Sequence, residues 1–245
     1  MNELFFELIQ VSTGQLDCLS RGPSPEEWQQ LYDLSKRHGL TALCYKGVVR
    51  LYEFGLRAPQ DLSIDWMADA ENLGELSDAE DMGEKSPTAD IVSVPEISNP
   101  VRKMLVDGWG RHNGGSFYVY VGKQKMNTTA SAIVLKLLAA YELYHDGELT
   151  MQHVVECFNV LRQANGHFDK FADGSTVNQV LRKFGIWRFT RSMMWIVGHT
   201  LALDKKLLAC SPLEGDGRFV LQQIMNEKLP LVERIKYRFW RFVKF

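Results

Sequence analysis

The sequence predicts an α+β chain that is mostly helical, with a small remnant sheet between an N-terminal helical region and a C-terminal helical bundle. Three observations predict it. Residues Ala130–Arg162 carry apolar side chains at three- and four-residue steps on two successive segments, broken at Asp146-Gly147. Ser24-Pro25-Glu26-Glu27 is a strong helix start, with Ser24 as cap, Pro25 at the first helical position and Glu27 three residues after the cap. Phe117–Val121, preceded by Gly114-Gly115-Ser116, is the richest β-branched and aromatic run.

The elements follow in order. Residues 2–19 read as a first helix, with Leu4, Phe5, Leu8, Ile9 and Val11 on its apolar side. The helix begun at Ser24 carries Trp28, Leu31, Tyr32 and Leu34 and stops at Gly39. Thr41 opens a third, with Leu43, Val48, Val49 and Leu51, ending near Gly55; Pro59-Gln60-Asp61 starts a fourth through Leu62, Ile64, Trp66 and Met67. From Asp69 to Asp90 acids dominate, with Lys85 as the one base. That stretch reads as a solvated helix fraying into a linker, and alternatively as a surface for a cation or a basic partner; it holds no calcium-loop pattern.

Ile91, Val92 and Val94 form a short apolar run cut by Pro95, so residues 90–123 supply two or three strands. The central hairpin follows. Ile133, Leu135, Leu137, Leu138 and Tyr141 face one way on its first helix, and Met151, Val154, Val155, Phe158 and Leu161 on its second. Gly147 suits a left-handed helix end and Thr150 a cap. Further helices are expected at Asn178–Phe184, Trp187–Leu203 and Gly217–Met225, with a closing helix over Leu231–Phe245. This gives three regions: 1–85, helical with an acidic linker; 86–125, the β remnant; and 126–245, helical.

Composition narrows the function classes. The chain has 245 residues, 45% of them hydrophobic, and a net charge of -2. A real core is expected, and bulk charge gives no reason to bind nucleic acid. No apolar run reaches the roughly 20 residues of a membrane span. Glu3 and Glu7 stand where a secretion signal would carry bases, so a cytoplasmic location is expected. Cys18, Cys44, Cys157 and Cys210 form no CxxC pair and read as four reduced thiols.

Three groups of residues are candidates for chemistry or binding. Gly114, Gly115 and Ser116 resemble a turn whose backbone N–H groups and hydroxyl hold nucleotide phosphates. Such a turn serves phosphoryl chemistry only beside paired carboxylates that bind hard metal ions, and the strand after it, FYVYVGKQKM, has no acid. It also reads as an ordinary turn between strands. His153, Glu156 and Cys157 lie on one side of a helix at ligand spacing, half of a metal site with no second half in view. The tail LPLVERIKYRFWRFVKF puts Leu231, Val232, Ile235, Phe239, Phe242 and Val243 on one helical face and Arg234, Arg238 and Arg241 on another, with Lys236 and Lys244 nearby. It reads as a closing helix packed on the core, with weak binding to an anionic surface as its alternative role.

Several stretches together resemble an uncharacterised bacterial family of nucleotidyltransferases, a branch of the polymerase-β-like superfamily. They are FFELIQVSTGQLDCLSRGPSPEEWQQLYDLSKRHGLTALCYKGV, DWMADAENL, the central hairpin, KFGIWRFTRSMMWIV with GRFVLQQIM, and PLVERIKYRFWRF. They cover well over half the chain and stand in the family's order. The family carries two metal-binding acids in a GDIDI motif after its helical leader. Here ENLGELSDAEDMGEKSPTADIVSV runs almost directly into the later strand, so the catalytic segment reads as deleted. Where the family has a carboxylate on that strand, this chain has Val92-Ser93-Val94-Pro95. In the hairpin the family's arginine corresponds to Gln152, its aspartate to Glu156, and its histidines to Ala139 and Leu143.

The resemblance implies a degenerate relative that has lost catalysis and acts as a binding or interaction protein with a protein partner and no cofactor. The alternative is an active magnesium-dependent enzyme that transfers NMP from an NTP to an acceptor. Its Mg2+ would rest on Asp90 and Glu96, with Asp78 and Asp81 the only other supply. A third reading is a decayed reading frame without a stable role.

Overall fold

The structure is a computed structural model that describes residues 2–72, 110–111, 117–118, 120–121, 124–125, 128–165 and 177–225. Among these the chain is mostly helical. It divides into two compact units, Met1–Lys85 with His199–Ala202, and Ser86–Gly198 with Leu203–Phe245.

The first unit is built on four helices: α1 (Asn2–Thr13), α2 (Pro25–Arg37), α3 (Thr41–Glu53) and α4 (Gln60–Asn72). α1 buries Leu4, Phe5, Leu8, Ile9 and Val11, as its periodicity predicts. It ends at Thr13 rather than residue 19. Ser12 Oγ and Thr13 Oγ1 donate back to Leu8 O and Ile9 O, and Gly14 turns left-handed at φ 74. Hydroxyls that bond to the preceding turn and a left-handed glycine together close the helix.

The start of α2 is a full capping box: Ser24 N–H donates to Glu27 Oε2 at 2.8 Å, and Glu27 N–H to Ser24 Oγ at 3.3 Å. α1 packs on α3, and α3 on α4. Gly47 of α3 lies against Ser12 and Leu8, too close for any side chain. Trp66 of α4 is fully buried and its Nε1–H donates to Thr41 O at 3.0 Å, so one indole both fills the core and satisfies a carbonyl. α4 runs on past Met67 to Asn72, so the acidic stretch begins on a helix, as read from the sequence, and carries Asp69.

The second unit contains the hairpin α5 (Thr128–Asp146) and α6 (Met151–Ala164), then α7 (Val177–Lys183), α8 (Trp187–Thr200), a 3-10 turn (Lys205–Leu207) and α9 (Glu214–Met225). Every apolar position read from the hairpin sequence is buried. The joint closes at Gly147, φ 86, with Glu148 N–H donating to Leu143 O at 2.8 Å. Phe189 of α8 has Tyr141 and Tyr144 of α5 each 5.3 Å away between ring centroids.

α8 stops at Thr200 instead of 203, with Ala202 left-handed at φ 51. α9 starts three residues earlier than Gly217, because Glu214 and Asp216 favour the positive end of a helix and the two glycines inside it are not breakers. Arg188 of α8 pairs with the buried Asp216, and Leu213 N–H donates to Arg191 O at 3.0 Å.

Strand pairing is limited, among the described residues, to two separate antiparallel pairs: Gly110–Arg111 with Phe117–Tyr118, and Tyr120–Val121 with Gln124–Lys125. The run expected as one strand over 117–121 is thus shared between them. Ile91–Val94 and the closing helix at 231–245 lie outside the described residues.

All four cysteines are free: Cys18 is exposed, and Cys44, Cys157 and Cys210 are buried. Burial pushes the buried thiols up, Cys157 and Cys210 to about 12. No helix among the described residues is long and apolar enough to cross a membrane.

Candidate functional site

The most concentrated polar chemistry of the second unit sits on the hairpin. Lys136 is the one charge in the apolar run Val134–Leu138 of α5. Gln152 and Glu156 are one turn apart on α6, so they share a side of that helix. Lys136 Nζ lies 2.8 Å from Glu156 Oε2, and Gln152 Nε2 donates to Glu156 Oε1 at 3.3 Å. Both carboxylate oxygens are therefore engaged. The pair is about two-thirds buried, 30% and 34% of each side chain remaining exposed.

His153 borders this group but turns to the backbone. Its Nδ1 accepts the Thr150 N–H at 3.1 Å and lies 3.0 Å from Thr150 Oγ1. It takes the place that glutamate holds in an ordinary capping box. A ring nitrogen that accepts an N–H carries no proton, so the imidazole proton sits on Nε2. Burial lowers its pKa, against the Glu156 charge and with Lys136 assisting, and so favours the neutral ring.

The half metal site read from His153, Glu156 and Cys157 is thus not assembled. His153 caps α6, Glu156 faces Lys136, and Cys157 is buried as a thiol. Among the described residues no three His, Cys, Asp or Glu side chains come together as a metal site.

A second polar cluster lies in the first unit. Tyr32 OH donates to Asp69 Oδ2 at 2.5 Å, and Lys36 Nζ sits 2.7 Å from the same oxygen and 5.0 Å above the Tyr32 ring. The Tyr32 ring in turn rests 5.2 Å from Trp66. Hydrogen bonds from Lys36 and then Tyr32 hold the Asp69 carboxyl below its usual range; burial and then the Asp69 bond push Tyr32 up. The acid is held ionised and the phenol neutral, an arrangement that ties α2 to α4 and is the reverse of what a general base at Tyr32 would need.

Asp90, Glu96, Gly114, Gly115 and Ser116 lie outside the described residues, as do Asp78, Asp81 and the basic tail residues Arg234, Lys236, Arg238, Arg241 and Lys244. The residues that sequence reasoning missed are Lys136, Asp69 and the Arg188–Asp216 pair. Lys136 left a signal, a lone base inside an apolar helix run, which calls for a buried or bordering acid. Compared with protein families, curated proteins and solved structures, the chain matches none.

Proposed function

We propose that the chain is a non-catalytic relative of the polymerase-β-like nucleotidyltransferases and works as a binding or interaction protein. The observation that carries this reading is the Lys136–Glu156–Gln152 cluster. At the two hairpin positions where the family resemblance puts an arginine and an aspartate, this chain has Gln152 and Glu156, and the remaining carboxylate is matched to an internal lysine. An acid so paired is neutralised by a neighbouring base and ties the two helices of the hairpin together. The same pattern holds for Asp69 with Lys36 and for Asp216 with Arg188. In this reading residues 86–125 form the small sheet left by the loss of the catalytic segment, and the protein works in the cytoplasm.

The test is calorimetric titration of the full chain with each NTP, with and without Mg2+. The expected result is no magnesium-dependent heat. Magnesium-dependent binding that disappears in D90N/E96Q would overturn the reading in favour of an active enzyme transferring NMP, with Gly114–Ser116 as its phosphate turn.

A further inference from the structure

The outer face of α3 and α4 carries an apolar stripe with an acidic border. On α3, Tyr45, Val49 and Tyr52 recur at four- and three-residue steps, and on α4 Ile64 and Met67 stand one three-residue step apart. The seam between the helices is fixed at one end by Tyr52 OH and Ser63 Oγ, 2.6 Å apart. Toward the start of α3, Thr41 O accepts from Trp66 Nε1 of α4 at 3.0 Å, so the two helices run antiparallel. These side chains are in water: Val49 is 43%, Ile64 52% and Met67 38% exposed.

The α4 side of the stripe is acidic. α4 carries Asp61, Asp65, Asp69 and Glu71 and no lysine or arginine. Asp69 turns toward Lys36 on α2, while Asp61, Asp65 and Glu71 are exposed. On α3, Arg50 turns away and donates to Val11 O of α1 at 2.8 Å, and Lys46, one turn before Val49, is the one base beside the stripe on that helix.

We propose that this face docks a basic amphipathic helix of a partner protein. The partner's apolar side would rest on Val49, Ile64, Met67 and the two tyrosine rings, and its lysines or arginines would meet Asp61, Asp65 and Glu71. A helix lying on an apolar stripe with complementary charges at its edge is a recurring recognition mode. A second copy fits worse, because a two-fold interface would set α4 carboxylates against each other. Nucleic acid and anionic lipid are repelled by the same acids. The proposal names a partner class for the interaction role argued above; nucleotide binding by the second unit would leave it standing.

The test is fluorescence anisotropy of the full chain with a labelled leucine/lysine peptide of about 16 residues, four helical turns. The controls are a scrambled peptide that loses the helical period and one with glutamate for lysine. Binding of the first alone is expected. I64S/M67S, and independently V49S, weaken it about tenfold or more with the thermal unfolding curve unchanged. D61N/D65N weakens it and flattens its salt dependence. F54S, an exposed aromatic off the stripe, leaves it unchanged. No binding, equal binding of the scrambled peptide, or full affinity in both I64S/M67S and V49S would overturn the proposal. A dimer of the chain that I64S/M67S dissociates would assign the face to a second copy and overturn it too.

Discussion

Gly217 of α9 lies directly against the indole of Trp195 on α8: a β-carbon at residue 217 would stand 2.6 Å from Trp195 Cε3 and 2.9 Å from its Cβ. The glycine is a packing requirement, since its own backbone is helical. Gly217→Ala should therefore destabilise the chain by about 1–2 kcal/mol, overpacking outweighing the gain in helix propensity. Gly198→Ala in α8, where the new methyl meets nothing within 4 Å, should instead stabilise it by about 0.5 kcal/mol. Urea midpoints of the two variants moving in the same direction would contradict the packing account.

His38 caps the C-terminal end of α2 and is buried beside Phe5, with neither ring nitrogen hydrogen-bonded among the described residues. Burial, with Arg37 nearby, lowers its pKa to about 4. The folded state prefers the neutral ring, so stability is unaffected above the unfolded value near pH 6.5. It falls as the pH drops through that value toward 4, by about 3 kcal/mol at the lower end. His38→Gln should remove most of this slope between about pH 6.5 and 5, before carboxylates titrate. Parallel pH profiles for the two proteins would show that His38 is not its source.

Lys136 and Glu156 join the two helices of the hairpin at a partly exposed site. Lys136→Met and Glu156→Gln should each cost about 0.5–1 kcal/mol, and the double variant less than their sum by about 0.5 kcal/mol. Strict additivity in a double-mutant cycle would mean that the 2.8 Å contact carries no coupling.

Tyr32 is held between Asp69, which raises its pKa, and Lys36, which lowers it. Asp69→Asn should move the Tyr32 titration down and Lys36→Met should move it up. The shifts are read as tyrosinate absorbance after subtraction of the same experiment in Tyr32→Phe. A Tyr32 titration indifferent to both substitutions would rule out the cluster as drawn.

The helices were legible wherever a local signal decided the structure. The Ser24–Glu27 box, the left-handed glycines at 39, 55, 147 and 185, and the apolar periods of α5 and α6 all lie within a few residues of what they determine. Boundaries went astray where a glycine had two meanings. Gly14 ends a helix with a left-handed backbone, while Gly215 and Gly217 sit inside one, Gly217 because it packs against Trp195 of another helix. The polar sites were least legible because each is a tertiary relation. Asp69 looked like the first acid of a solvated helix, and its partner Lys36 lies 33 positions earlier in the chain. His153 had the spacing of a ligand, but its bond to the Thr150 N–H depends on backbone geometry that spacing does not encode.

The unequal placement of the four thiols makes the chain its own clock. Cys18 should take up a maleimide at once in the native state, giving a one-site label between α1 and α2. Cys44 reacts only when the first unit opens, and Cys157 and Cys210 only when the second does. Counting modified cysteines by peptide mass over time would give separate opening rates for the two units from one unmodified protein, with no fluorophore, no substitution and no denaturant.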